Sequence, residues 1–495
     1  MKNRIKSVIA AFGLLVFAIP AAGQVSYTPY EDAKPILGAM AEIIPGELRN
    51  ATPETQAQAW NIWVSKRDKE IRARLAQGDA DSIVNFLMFG TSFTTAPRLT
   101  SAQLHLAGAR QGESREGNGS EAWQRFFKKR VRDLVEGMAT PRANERLQFA
   151  RRTLEQAGIS IVDESGKEKA RMFLIENVRR VLKEQSSYQE ALKAAKSLND
   201  PTEEFAERSK LYKERGLSLD TSLPPDYALE VALKEMKTRG LLKPGSVVRV
   251  GIIGPGLDFT DKQEGFDFYP TQTVQPFAVM DSLLRLGLAK SNEIEVDTLD
   301  LSPRILAHVE RAARLGAKGR GYTIQLPRDP ARGWTPELVA YWSRFGDQIG
   351  MPVTPVAVPA SLKTIALRAV RVKPDFVRRM KTYDVNVVLQ RAAQTEATKL
   401  DLLIATNILV YYDTFEQSLA MTNVAAMLKP GGYLLTNNLL LELRGSNMRS
   451  EGHVAVKYSA KQQDGDTIVK YRRVRQPSKQ AGKLKVRSSL PIAFK

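Results

Sequence analysis

Cysteine is absent from the chain, which excludes disulfides, thiolate nucleophiles and cysteine-held zinc or iron–sulfur centres. Histidine is scarce: His105, His308 and His453 lie far apart and lack metal-ligand spacing such as HExxH. No GxSxG elbow is present, so a serine hydrolase of that type has no support. No segment repeats with a period of 20 to 50 residues, which excludes solenoids and propellers. Beyond the N-terminus no apolar run is long enough to span a bilayer, which takes roughly 20 residues.

What is present is enough for two or three domains. The chain has 495 residues with 43% hydrophobic and 26% charged residues, ordinary values for a globular protein. Its formal charge is +19. Such a balance favours anionic partners, with part of the charge in a basic tail that includes Lys470, Arg472, Arg473 and Arg475. A solvated basic surface accounts for the same charge, and no RNA-binding signature or zinc finger accompanies it. At the N-terminus, Lys2, Arg4 and Lys6 precede an apolar stretch and then Pro20-Ala21-Ala22-Gly23. This pattern predicts a signal peptide over residues 1–23, cleaved before Gln24, and hence an exported protein, periplasmic or extracellular; an uncleaved N-terminal anchor is the alternative.

Residues 24–222 read as a helical domain. Thr52-Pro53-Glu54-Thr55 predicts a helix start with threonine as N-cap, and Gly78 predicts its end. Further helices are expected over residues 79–89, 120–135, 141–157 and 167–183, and a charged one over 203–215. Their Trp and Phe residues read as core. The character changes near Pro224. An amphipathic helix over 226–239 leads to Lys243-Pro244-Gly245, an apolar β-branched run to Ile253, then Gly254-Pro255-Gly256. Helix, turn, buried strand and glycine turn open a doubly wound α/β domain, placed here at residues 223–445. Strands are expected over 293–301, 362–372, 386–390, 400–405 and 433–437, with helices over 277–288, 303–315 and 414–428. Residues 446–495 remain as a basic extension, a hairpin and tail.

In such a sheet a ligand sits beyond the carboxyl ends of the strands. Three ends carry suitable residues. Gly254, Pro255 and Gly256 follow the first strand, where glycine lets a ligand approach the backbone. Asp300 ends the second, where a carboxylate can accept from both hydroxyls of a ribose. Asn407 follows the fourth, within Thr406-Asn407-Ile408-Leu409-Val410-Tyr411-Tyr412-Asp413.

The order KPG, strand, GxG, strand-Asp, "DLLIATNILVYYD", helix and "LKPGGYLLTNN" resembles the class I S-adenosylmethionine (SAM)-dependent methyltransferases, nearest the chemotaxis-receptor branch, over about 200 residues. The resemblance implies a Rossmann-like, mostly parallel sheet and SAM as cofactor. It also implies methyl transfer to an acceptor that the sequence does not identify, aided mostly by alignment of the reactants. By the same resemblance Gly254 and Gly256 lie against the methionine part of SAM and Asp300 holds the ribose. Asn386 lies near the adenine, and Asn407 borders the reacting methyl group. The chain departs from the pattern at Ile252, where the family has an acid, at Asp258 in place of a third glycine, and at Thr406 in place of an arginine. It also carries two insertions, over residues 257–276 and 316–359. These departures and the export signal leave open a degenerate methyltransferase fold that binds a ligand without turnover.

Overall fold

A computed structural model of the chain describes residues 25–99, 118–196, 216–218, 220–260, 266–460 and 464–474. The signal-peptide pattern, the charged segment 203–215 and the tail beyond Val474 lie outside the described residues. Among the described residues no helix is long and apolar enough to cross a membrane.

The helical half begins with a strand, so it is not purely helical: β1 (Val25–Tyr27) pairs antiparallel with β8 (Gln390–Ala392). Helices α1 (Tyr30–Ala39), α2 (Gln56–Phe89), α3 (Asn118–Ala139), α4 (Glu145–Gln156) and α5 (Glu164–Lys196) follow. Two expectations fail in α2. Thr52 does not cap it; the helix starts at Gln56, after a turn in which the Thr52 amide donates to Thr55 Oγ1 at 3.1 Å. Gly78 does not end it either, and one 34-residue helix replaces the two expected. The glycine answers a different need: a Cβ at Gly78 would lie 1.9 Å from the carbonyl oxygen of Leu217, which crosses the helix there.

The α/β half carries α6 (Leu223–Thr238), β2 (Arg249–Ile253), α7 (Gln275–Arg285), β3 (Glu295–Asp300), α8 (Pro303–Ala317) and β7 (Met380–Asp384). After these come β9 (Leu400–Ala405), α10 (Thr414–Met427), β10 (Leu428–Thr436), β11 (Met448–Lys457) and β12 (Gly465–Arg473). Helix α10 starts at a capping box, with Asp413 accepting from the Glu416 amide at 2.9 Å. The seven strands order as β11-β12-β10-β9-β2-β3-β7. From β10 to β7 every pairing is parallel, while β12 runs antiparallel to β10 and to β11. The sheet reverses direction of winding at β2 and β9, the switch point of a doubly wound fold.

The hairpin expected as an extension beyond residue 445 therefore supplies the two strands at one edge of this sheet. The third parallel strand is Met380–Asp384, not residues 386–390; its alternating polar residues (MKTYD) hide it because it lies at the other edge, half exposed. The second insertion folds as β4 (Tyr322–Arg328), α9 (Pro336–Arg344) and β5 (Gly350–Val353); the strand expected over 362–372 forms as β6 (Ala366–Val372) but joins them in a separate antiparallel sheet of order β4-β6-β5.

Strand β9 shows how the core is split. Leu402 and Ile404 face a cluster with α6, α7, α8 and the inserted sheet, whereas Leu403 and Ala405 face one with α1, α10 and the first part of α2. Trp60, Trp63 and Ile71 of α2 thus belong to the α/β core. Further along the same helix, Ile83, Phe86 and Leu87 enter a third cluster with α3, α4 and α5. Packing does not divide the chain at residue 222; α2, about 50 Å long at 1.5 Å per residue, is shared between two cores.

Candidate functional site

A cavity of about 240 Å³ opens beyond the carboxyl ends of β2, β3 and β9, just under the range of about 300–1,000 Å³ typical of small-ligand pockets. Gly254, Gly256, Asp300 and Asn407 all line it. The structure thus gathers four of the six residues marked in the sequence.

Each is placed by its strand end. Gly254 and Gly256 both have φ of 65°, a left-handed backbone that favours glycine. A Cβ on Gly254 would also meet Ile408 Cδ1 at 2.2 Å, so the loop after β9 packs directly on the glycine turn. Asp300 is buried, and its Oδ1 accepts from the Ser302 amide at 2.7 Å. Burial pushes its carboxyl up to about 7, against the opposing pull of the Ser302 and Leu301 amides and of Arg304. Asn407 also adopts a left-handed backbone, φ 58°. Its amide N–H donates to Asn437 Oδ1 at 2.8 Å, and the Asn437 side chain donates back to Asn407 Oδ1, tying the end of β9 to the end of β10.

The other two marked residues stand apart. Pro255 is not among the lining residues, since the turn presents its flanking glycines. Asn386 does not line the cavity; Val385 and Val387 do. Its side chain is buried and donates to Asp68 Oδ1 at 2.8 Å, in a network where Arg72 of α2 reaches both Asp68 (3.1 Å) and Asp384 (2.7 Å). Placing β7 six residues earlier than expected accounts for the difference.

Several lining residues carry no mark in the sequence. Gln275, at the start of α7, donates to Thr406 Oγ1 at 2.9 Å and to Asp226 Oδ1 at 3.2 Å. Asp226 is itself fully buried, which holds its carboxyl up at about 8. Leu75 of α2 and the segment leading into α6, including Leu217, Asp220 and Thr221, close the remaining side. Residues from far outside the α/β fold are invisible to a motif search of that fold. Tyr411 and Tyr412, which the sequence does place in the segment after the fourth strand, line the cavity as well. Tyr412 is buried, and its hydroxyl is pushed above the usual tyrosine range by desolvation, so it stays protonated near neutral pH. Arg74 donates to the Tyr411 carbonyl at 3.1 Å and lies over the Tyr412 ring.

Apart from Gln275 near its end, the described residues of the first insertion turn away from the cavity. Asp258, at the third-glycine position, accepts from Tyr269 and Gln272 side chains, each at 2.9 Å. Phe259 turns into the helical cluster, edge-on to Phe149 at 5.0 Å and Phe86 at 5.8 Å. Arg146 of α4, fully buried, donates to the carbonyls of Asp258, Phe259, Phe266, Asp267 and Tyr269. The insertion is a peg held in the helical half.

No protein-family profile matches the chain, and no curated protein matches it in sequence. Solved structures that match about half of it are SAM-dependent methyltransferases. The N-methyltransferase NodS of Bradyrhizobium japonicum is 12% identical over 50% of this chain and 95% of its own, with a TM-score of 0.25. The magnesium protoporphyrin IX methyltransferase of Synechocystis, crystallised with SAM, is 11% identical over 50% of this chain and 79% of its own, TM-score 0.24. A putative class I SAM-dependent methyltransferase of Listeria monocytogenes is 11% identical over 72% of this chain and 90% of its own, TM-score 0.26. The sheet is a doubly wound α/β sheet, a parallel run closed at one edge by a reversed hairpin.

Proposed function

We propose that the cavity binds SAM and that the protein is a SAM-dependent methyltransferase. The observation that carries this reading is the convergence of Gly254, Gly256, Asp300 and Asn407 on one cavity at the switch point of the sheet. The residues fit the cofactor. Left-handed glycines leave the backbone open to the methionine part, a carboxylate at the end of β3 suits a ribose diol, and Leu299, Ile305, Val385 and Val387 offer apolar walls to a base. SAM supplies an activated methyl group when bound. This chain's contribution is to orient it: the Asn407–Asn437 clasp fixes the loop beside the reacting end, and Gln275 and Thr406 hold each other below it. No lining side chain is assigned as a general base; Tyr412, held protonated, is a hydrogen-bond donor. Photo-crosslinking of labelled SAM to the full chain, competed by S-adenosylhomocysteine, tests the reading. Labelling at residues of β2, β3 or the Thr406–Tyr412 loop is expected, and labelling confined to other regions contradicts it.

A second reading, a binding protein without turnover, is favoured by Ile252. It lies fully buried in the strand core where the family carries an acid, and it offers no acceptor to a ligand. Detection of methyl transfer to any acceptor removes that reading. Export, from the N-terminal pattern in the sequence, and an anionic partner for the basic tail are part of the proposal; fractionation of tagged protein and salt-dependent binding to anionic polymer test them.

A further inference from the structure

The cavity wall contributed from outside the α/β fold has its own chemistry. The strap into α6, described at residues 216–218 and 220–222, crosses α2 at Gly78, donates from the Leu217 amide to the Arg74 carbonyl at 3.4 Å, and pairs with the glycine-turn exit through a bridge between Asp220 and Leu257. The next residue of the strap, Thr221, donates its amide to the Leu257 carbonyl at 3.2 Å. This pins Asp220 between the long helix and the cofactor loop. Its carboxylate accepts from Ser82 Oγ at 3.5 Å and Asn85 Nδ2 at 3.4 Å, both on α2, and the residue lines the cavity.

Charge in the lining is one-sided. Asp220 and Asp300 are its acidic members, and among the described residues no Lys, Arg or His lines it. Arg304, the cation behind this wall, lies with Nη2 3.7 Å from Asp79 Oδ1 and also acts on Asp220 and Asp300, so three carboxylates share one buried cation. A cavity so lined disfavours phosphate-bearing nucleotides, which the glycine turn alone would admit, and attracts a nucleoside carrying positive charge. We infer that Asp220, delivered by the strap of the helical half, is a specificity-determining residue that reads the α-ammonium and sulfonium of the ligand. The helical half is then part of the binding site rather than an appendage. This rests on the SAM-binding reading above.

The test is the affinity of the full chain for SAM and for 5′-methylthioadenosine, measured for the wild type and for Asp220→Asn. Methylthioadenosine shares the adenosine and thioether but is neutral. Asp220→Asn keeps the shape, and unchanged methylthioadenosine binding shows the cavity is intact. The expected result is a loss of about tenfold in SAM affinity, with methylthioadenosine unchanged. Equal changes for both ligands, or no change in either, overturn the assignment of Asp220 while leaving SAM binding standing. If the wild type binds neither, the methyltransferase reading fails and this inference with it.

Discussion

Gly78 and Leu217 are in backbone contact: a methyl group on Gly78 would sit 1.9 Å from the Leu217 carbonyl oxygen and 2.7 Å from its carbonyl carbon. This contact lets the strap cross the long helix and carry Leu217 and Asp220 to the cavity wall. Gly78→Ala sets two effects against each other. Alanine favours the helix by about 1 kcal/mol, but overpacking against backbone costs about 1–3 kcal/mol. The second wins, because the obstructing atom is main chain. The variant is expected to melt lower and to bind all cavity ligands more weakly, neutral ones included, by calorimetry and thermal unfolding.

Arg146 is expected to hold the first insertion. Its guanidinium serves five carbonyls, and a shorter or single-point donor cannot. Arg146→Met leaves buried acceptors without donors, and should cost about 3–5 kcal/mol. Arg146→Lys should recover little of it. Limited proteolysis should cut both variants between residues 258 and 275 faster than the wild type. Equal cutting rates would show that Phe259 and the contacts of Asp267 to Thr91 and Ser92 hold the segment without Arg146.

Asp300 gives a pH signature. Its carboxyl is displaced from 3.8 to about 7 by burial, so the folded state holds the proton more tightly than the unfolded chain. Relative to the charged group, that stabilises the fold fully below pH 4 and is lost as pH rises through about 7. Asp300→Asn, which cannot ionise, should therefore melt higher than the wild type at pH 8, by an amount worth up to about 4 kcal/mol. The two should be alike near pH 3.5. Ligand binding runs the other way. A diol is better accepted by the ionised carboxylate, so wild-type SAM affinity should rise from pH 6 to pH 8 while that of Asp300→Asn stays flat.

Asn407 combines a left-handed backbone with the clasp to Asn437. Asn407→Ala loses the side-chain acceptor and strains the turn, and should weaken SAM binding with little change in melting temperature. Asn407→Gly relieves the strain and keeps the backbone bond to Asn437 but not the side-chain one. If glycine rescues affinity fully, backbone geometry rather than the Asn407 side chain fixes the loop.

Much of the α/β half was legible because its signals are local. Leu400–Ala405 reads as a buried strand from its unbroken apolar run. The Asp413-to-Glu416 spacing marks the start of α10 in the same way. Four strand-end residues could be marked because strand order follows from alternation with helices. The failures have tertiary causes. Gly78 looks like a helix end, but its partner Leu217 lies about 140 residues away in sequence. Met380–Asp384 carries an edge-strand pattern, so by local pattern the apolar segment after it reads as the strand and Asn386 as a strand-end residue. Asp220, Leu75 and Gln275 carry no local motif at all; only the packing of α2 across the strand ends brings the first two to the cavity.

The central claim is that this cavity holds SAM. Calorimetric titration of the full chain with SAM at pH 8, beside Asp300→Ala, tests it most directly. The account predicts one site of about micromolar affinity, weakened by about tenfold to a hundredfold in the variant, the worth of a hydrogen bond to a charged group. No heat of binding up to millimolar SAM, or equal affinity in Asp300→Ala, would contradict it.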